Sequence, residues 1–203
     1  MKAQVLHQHG AGGLRYETDF PDPEPGEGDV VVGVRATSLN YHDVFTRRGM
    51  PGIRIAMPAI MGLDVAGEIA ALGAGVTGWQ IGDRVVGDPI NRVEGGLVGE
   101  TVHGGLAEYC RLRAHQLVPI PDGVSFEQAA ALPCAYGTAR RMMVTNGHDQ
   151  SGHVSRPTRR WCLAEEARAH IRRKPLRRLI DEALRRLASD ADRFGRATHP
   201  PGM

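Results

Sequence analysis

The 203-residue chain changes texture twice, and the places where it changes constrain the fold more than any single motif does. Up to about residue 120 the apolar segments are short, rich in β-branched residues and separated by Gly- and Pro-bearing turns. From Ser125 to about 148 they give way to helix formers, and beyond 149 the chain turns arginine-rich. Charge follows the same division. Residues 1–150 hold 12 Lys and Arg against 17 Asp and Glu, and residues 151–203 hold 13 against 6. The overall net charge of +2 therefore conceals an acidic and a basic regime that meet near position 150.

The first regime reads as strands. Ala3–Leu6 is a brief apolar run, and PDPEPGEG at 21–28 excludes regular structure because proline fixes φ and removes N–H donors. Asp29–Ala36, Asp64–Leu72, Arg84–Gly87, Gly104–Leu112 and Leu117–Ile120 have strand composition, with Gly67 allowing a close backbone approach. The glycines of GAGV at 73–76 mark a turn between strands and not a nucleotide fingerprint. Many short strands with little helix point to a closed barrel.

The second regime predicts two helices. Ser125 with Gln128 has capping-box spacing before Phe126–Leu132, Pro133 is expected to stop that helix, and Ala135–Asn146 is expected to form the next. The organisation is then 1–124 as the strand-rich domain, 125–148 as helices, 149–160 as a linker and 161–203 as an Arg-rich helical tail. In that tail Leu176, Leu179, Ile180, Ala183, Leu184 and Leu187 share one helical face, and the final ATHPPGM is expected to be disordered.

With 41% hydrophobic and 24% charged residues the composition suits a soluble globular protein. Aromatic content is only 5%, so the core must be aliphatic. Cys110, Cys134 and Cys162 form no CxxC pair, which fits a reducing compartment. No apolar run approaches the roughly 18 residues of a membrane span, and the N-terminus lacks the apolar core of a signal peptide. A cytoplasmic location is expected.

Four stretches together resemble the medium-chain dehydrogenase/reductase superfamily. They are SLNYHDVFTRRG (38–49), PAIMGLDVAGEIAALGAGVTGWQIGDRVV (58–86), HGGLAEY (103–109) and PDGVSFEQAAALPCAYGTA (121–139). The resemblance implies a mainly β fold, a GroES-like, partly open barrel of the alcohol dehydrogenase type, followed by α-helices that lead toward a Rossmann lobe. Zinc members of the family bind catalytic metal through Cys, His-Glu and a second Cys. Here Asn40 stands at the first Cys position, Leu63 at the His, and Asp64 at the Glu, while Cys134 matches the last. The stretch where the structural zinc loop belongs, GDPINRVEGGLVGETVHGG, has no cysteine. No zinc is expected. The pattern is similar to the quinone oxidoreductase and enoyl reductase branch, which implies NADPH as cofactor and a quinone or a conjugated carbonyl as small-molecule substrate.

The candidate catalytic residues are Asn40, Tyr41 and His42, and the candidate cofactor-binding residues are Asn40 and Thr138. Asn40 is either a hydrogen-bonding partner of the nicotinamide or a substrate carbonyl, or a turn residue at a strand end. His42 is either a proton donor or a structural histidine, since imidazole exchanges its proton near neutral pH. Tyr41 offers a phenol proton or packs. Thr138, matched to a residue at the cofactor's nicotinamide end, is otherwise an ordinary helix residue. Asp43 and Asp64 read as structural carboxylates, one of which can cap a helix. Cys134 reads as a small buried residue and not a nucleophile, Arg47 and Arg48 as a solvated face, and His103 as part of a turn.

No strand–glycine loop–helix unit follows Gly147, so no complete Rossmann domain is expected, and activity of the chain by itself is expected to be impaired. The alternative is a non-catalytic remnant or protein-interaction module. The tail reads either as an amphipathic cover for apolar surface at 125–148 or as unrelated sequence entered through a frameshift. Nucleic-acid binding by the tail is disfavoured because Trp161 and Phe194 are its only aromatics. An oligomer stays open, because relatives often dimerise through the nucleotide-binding lobe.

Overall fold

A computed structural model describes residues 1–52 and 55–141. The expected linker at 149–160, the amphipathic face at 176–187, Cys162 and the end of the second predicted helix lie outside the described residues. Among the described residues, eight strands and three α-helices follow in chain order: β1 (Ala3–Leu6), β2 (Leu14–Glu17), β3 (Asp29–Ser38), α1 (Tyr41–Arg48), β4 (Ala59–Ile60), β5 (Asp64–Leu72), β6 (Arg84–Gly87), β7 (Tyr109–Arg113), β8 (Leu117–Pro119), α2 (Phe126–Ala130) and α3 (Pro133–Arg140). No described helix is long and apolar enough to cross a membrane.

The strands form two sheets, β2-β1-β4 and β7-β3-β5-β6-β8, and every ladder between them is antiparallel. The long β3–β5 ladder runs from Val30 opposite Leu72 to Ser38 opposite Asp64, with register shifts at Val31/Val32 and Val34/Ala36. Bulges of this kind bend and twist a pair, which makes a curved sheet. The sheets are open, which corrects the closed barrel expected from the strand pattern and agrees with the partly open form that the resemblance implied. Closure fails at β8, which has three residues and ends on Pro119, a residue with no N–H to offer a further strand. The mainly β class followed by helices stands as expected.

Side-chain alternation along β5, β6 and β8 fills two cores, one on each face of the large sheet. Val65, Ile69, Val85 and Leu117 pack with Val30, Val32, Val98, Cys110 and Leu112 on one side. Ala66, Val86 and Val118 meet Ile120, Val124, Ala129 and Ala130 on the other, where α2 lies against β3, β5 and β6. The cores are aliphatic, as the low aromatic content requires.

Local chemistry explains where elements begin and end. The reciprocal cap of α2 is formed: Gln128 N donates to Ser125 Oγ at 3.2 Å, and Ser125 N donates to Gln128 Oε1 at 3.1 Å. Pro133 ends α2 as expected but also opens α3, where a missing N–H costs nothing. The strand expected from Gly104 begins only at Tyr109. Gly104 N and Gly105 N instead donate to the carbonyls of Ile60 and Gly62, at 2.7 and 2.8 Å, and tie this segment to the turn before β5. Strands β2 and β4 and helix α1 have no counterpart among the elements expected from the sequence.

Gly67 in β5 lies so close to Gly33 of β3 that a Cβ there would collide with the Gly33 carbonyl oxygen. We expect Gly67→Ala to overpack the β3–β5 pair and to lower unfolding stability by at least about 2 kcal/mol. An unchanged denaturant midpoint would show that the strands separate at little cost.

Candidate active site around a buried carboxylate

Asp64 opens β5 directly opposite the last residue of β3, Ser38, and its side chain is fully buried. Its Oδ2 accepts hydrogen bonds from Ser38 Oγ at 2.5 Å and from Asn40 Nδ2 at 2.9 Å. Its Oδ1 accepts the backbone N–H of Cys134 at 2.9 Å. Thr37 Oγ1 donates to the Asp64 backbone carbonyl at 2.6 Å. One carboxylate thus ties β3, the start of α1 and the first turn of α3 to β5.

A second buried carboxylate fixes α1 itself. Asp43 Oδ2 accepts the Asn40 N–H at 2.8 Å, the return half of a capping box, and Oδ1 accepts the Gly62 N–H at 3.0 Å. Gly49 ends the helix in the left-handed conformation, φ 79°, where glycine is favoured. Burial raises both carboxyls above the ordinary value of 3.8, against the opposing pull of their hydrogen bonds. For Asp64 the charge of Asp43 adds to the rise.

The predicted residues fall on two helices that Asp64 joins. Asn40, Tyr41 and His42 form the N-terminal end of α1, and Asn40 directs its amide nitrogen at Asp64, with Ser38 Oγ a longer 3.4 Å away. Tyr41 is 82% exposed and its ring rests at a tilt on Phe45, 6.4 Å between centroids. His42 is half-buried, with Nε2 2.8 Å from Glu100 Oε2 but off the line of the ring N–H. Thr138 is exposed on α3, one turn beyond the Asp64-bound Cys134. Arg48 is exposed and Arg47 half-buried at the C-terminal end of α1, away from the Asp64 network. His103 sits in the turn before β7, where its Nδ1 accepts the Ile60 N–H at 3.3 Å and its ring meets the edge of Phe20. Ser38 and Glu100 were not singled out from the sequence. Ser38 carried one signal, its place at the end of a strand beside Asn40; Glu100 carried none, because its contact spans the chain from the loop before β7 to α1.

The donor set does not fit a catalytic zinc. Zinc requires thiolate, imidazole or free carboxylate lone pairs. Asn40 offers an amide already committed to Asp64, Leu63 offers no donor atom, and the Asp64 oxygens are engaged by three hydrogen-bond donors. The Cys134 thiol is pushed up to about 11 by burial and by the charges of Asp64 and Asp43, so it stays protonated at neutral pH. The same value makes it a poor nucleophile.

Replacing Asp64 by Leu would leave the Ser38 hydroxyl, the Asn40 amide and the Cys134 N–H without their acceptor. We expect a loss of about 3 kcal/mol in unfolding free energy, read as a lower urea midpoint; an unaffected midpoint would mean that solvent satisfies these groups. The raised carboxyls also set a pH dependence. A folded pKa above the unfolded one means that the folded state binds the proton more tightly, so the stability Asp43 contributes is present near 3.8 and is lost as pH rises through the folded value. Acidification from neutral pH should therefore raise the urea midpoint of the wild type relative to Asp43→Asn. The lowered carboxyls Glu94 and Glu127 cancel in that difference, and a gap that is constant with pH contradicts the assignment.

Comparison with known proteins agrees with this geometry. Residues 26–122 match the alcohol dehydrogenase GroES-like domain. The chain is 37% identical over 129 residues to the trans-enoyl reductase tazE of Aspergillus terreus, covering 62% of this chain and 41% of that protein. It is 29% identical over 139 residues to the quinone oxidoreductase of Pongo abelii, covering 68% of this chain and 39% of that protein. The crystal structure of an NAD-dependent alcohol dehydrogenase superposes with a TM-score of 0.70 at 34% identity, over 75% of this chain and 49% of that one. The chain thus spans about two fifths of the curated relatives and half of the solved structure. Residues 26–122 are therefore an alcohol dehydrogenase GroES-like domain, and the chain's relatives are of the quinone oxidoreductase and enoyl reductase types.

Proposed function

We propose that this chain supplies the catalytic face of an NADPH-dependent, zinc-independent reductase that acts on a quinone or a conjugated carbonyl. The observation that carries the proposal is the hydrogen-bond network in which Asp64 accepts from Ser38, Asn40 and Cys134; by the sequence resemblance Asn40, Asp64 and Cys134 stand at metal-ligand positions of the zinc members, with groups that do not fit the metal. When bound, the reduced nicotinamide supplies a hydride to an electron-poor carbon of the substrate. With its amide nitrogen committed to Asp64, Asn40 can meet the cofactor only through its side-chain carbonyl oxygen, an acceptor that suits a carboxamide N–H and not a substrate carbonyl. Thr138 is exposed on α3, and the sequence resemblance makes it the candidate for the same end of the cofactor. His42 and Tyr41 are the candidate sources of the proton that completes reduction at carbon or oxygen. These residues fit the nicotinamide end of a dinucleotide. The residues that would read its ribose and pyrophosphate are not among those described, since every described ladder is antiparallel and a Rossmann unit is parallel.

A second reading, a non-catalytic interaction module, draws on the exposure of Leu39, Tyr41 and Met50 around the same helix, at 75, 82 and 42%. Titration of the purified chain with NADPH, followed by NMR, separates the two. The reductase reading expects weak, millimolar binding with shifts concentrated at the backbone amides of Asn40 and Thr138, and consumption of reduced nicotinamide when a quinone or an enoyl thioester is added. No shift at millimolar cofactor would defeat it for this chain.

A further inference from the structure

Between β6 and β7 the chain makes a long excursion that returns to the candidate site at Gly99, and the contact there is backbone on backbone. Gly99 adopts the left-handed conformation, φ 76°, and a Cβ on it would lie 3.0 Å from Gly62 N and 3.2 Å from the Gly62 carbonyl carbon and oxygen. A side chain at this position would therefore have to move Gly62 by a few tenths of an ångström. The next residue, Glu100, lies against His42, so the excursion meets α1 as well.

Both partners are held in place. Val98 is buried in the main core, and its N–H donates to the Pro89 carbonyl at 2.9 Å. Gly99 N donates to the Val102 carbonyl at 2.9 Å, and Glu100 N and Thr101 N both donate to the Leu97 carbonyl, at 3.1 and 2.9 Å. Thr101 Oγ1 closes this turn by accepting the Leu97 N–H at 2.8 Å. On the other side, the carbonyls of Gly62 and Met61 accept the N–H groups of Gly105 and Leu106, at 2.8 and 2.9 Å. Leu106 N lies 2.8 Å from where a Cβ on Gly62 would be. Gly62 is thus packed between two backbone segments, and both set the direction of its N–H. That N–H is the one that Asp43 Oδ1 accepts, while Asp43 Oδ2 holds the Asn40 N–H at the start of α1.

We propose that Gly99 is a positioning residue for the candidate site: by bearing on the Gly62 backbone it sets where the Gly62 N–H meets Asp43, and so where α1 presents Asn40. A side chain at 99 would push Gly62 away and lengthen a bond that is already 3.0 Å. The disturbance would pass through Asp43 to the cap of α1. Its consequence for cofactor binding rests on the reductase reading; the linkage from Gly99 to Asn40 does not.

The test uses amide hydrogen exchange and amide NMR shifts of the full chain without cofactor, so its failure is separate from failure of the reductase reading. In Gly99→Ala the protection of the Gly62 amide is expected to fall at least about threefold relative to that of Ile120, a fraction of what complete loss of a bond to a carboxylate would give. Ile120 serves as reference because its N–H donates to the Arg84 carbonyl at 2.8 Å in the other core, so a general loss of stability cancels. The Asn40 amide signal is expected to shift in the same variant. Gly95→Ala separates backbone strain from collision. Gly95 has nearly the same φ, 81°, in the same excursion, and a Cβ on it would meet nothing within 4 Å. Both amides should therefore stay as in the wild type. Thr101→Ala loosens the turn without adding an atom and serves if Gly99→Ala does not fold; it is expected to lower Gly62 protection in the same direction. A Gly62 amide that keeps pace with Ile120 in Thr101→Ala and in a folded Gly99→Ala overturns the proposal. A Gly95→Ala variant that reproduces the loss overturns it too, because strain alone would then account for the effect.

Discussion

The structure depends on a carboxylate that water does not reach. Asp64 accepts three side-chain or backbone hydrogen bonds from residues that belong to three different elements, and without it those half-buried donors would lose their acceptor. A buried charge is costly unless it is hydrogen-bonded, and burial wins enough of that contest to raise the carboxyl above its ordinary range. The arrangement is therefore under tension: the ionised form makes the best acceptor, and the protonated form is the cheaper one to bury. Nearby Asp43 sharpens this, because two acidic groups share the same region and each ionised one makes the other harder to ionise.

By the sequence resemblance, this hub stands at positions where zinc members of the family would hold their metal. A cation would neutralise charge and hold the loops after β3, before β5 and at the start of α3. Here the same three places are held by hydroxyl, amide and backbone N–H donors converging on one side chain. The exchange has a chemical consequence. A metal polarises a carbonyl directly, whereas an amide oxygen, a phenol and an imidazole can only accept, donate or position. Polarisation must then come from the cofactor and substrate themselves, which is why the chemistry proposed is hydride addition to an already electron-poor carbon and not oxidation of a simple alcohol.

Much of the scaffold was legible in the sequence, and the misses share a cause. Strands β5 and β6 were read to their end residues, because β-branched composition and turn glycines agree there. Helix α1 was invisible because its buried residues are Asp43 and Thr46, both polar, so no apolar stripe marks it. The signal that existed was the spacing Asn40–Asp43 before Gly49. Strand β2 has no buried residue and β4 has two residues in all, too little for a period to show. Gly104 and Gly105 looked like strand, but close backbone approach to the turn at Ile60–Gly62 decided otherwise. At the site, Asn40, Asp64 and Cys134 were legible through resemblance, and their convergence on a shared network was not, since Asp64 and Cys134 are separated by 70 positions. Glu100 lay beyond reach for the same reason.

The two helices that carry the candidate residues are not independent. Asp64 receives the Asn40 amide through one oxygen and the N–H at the start of α3 through the other, so the same group sets the entry of α1 and the direction in which α3 departs. A change at Asp64 should then move the start of α1 and the start of α3 together, and substitutions at Asn40 and near Cys134 should couple to it while remaining distant from one another in sequence. Residues that share a hydrogen-bond network give non-additive effects. The contacts divide the same way: Asn40 and the start of α3 answer to Asp64, whereas His42 lies against Glu100 and faces Asp43. Asp43 joins the two, holding the Asn40 N–H on one side and facing His42 on the other.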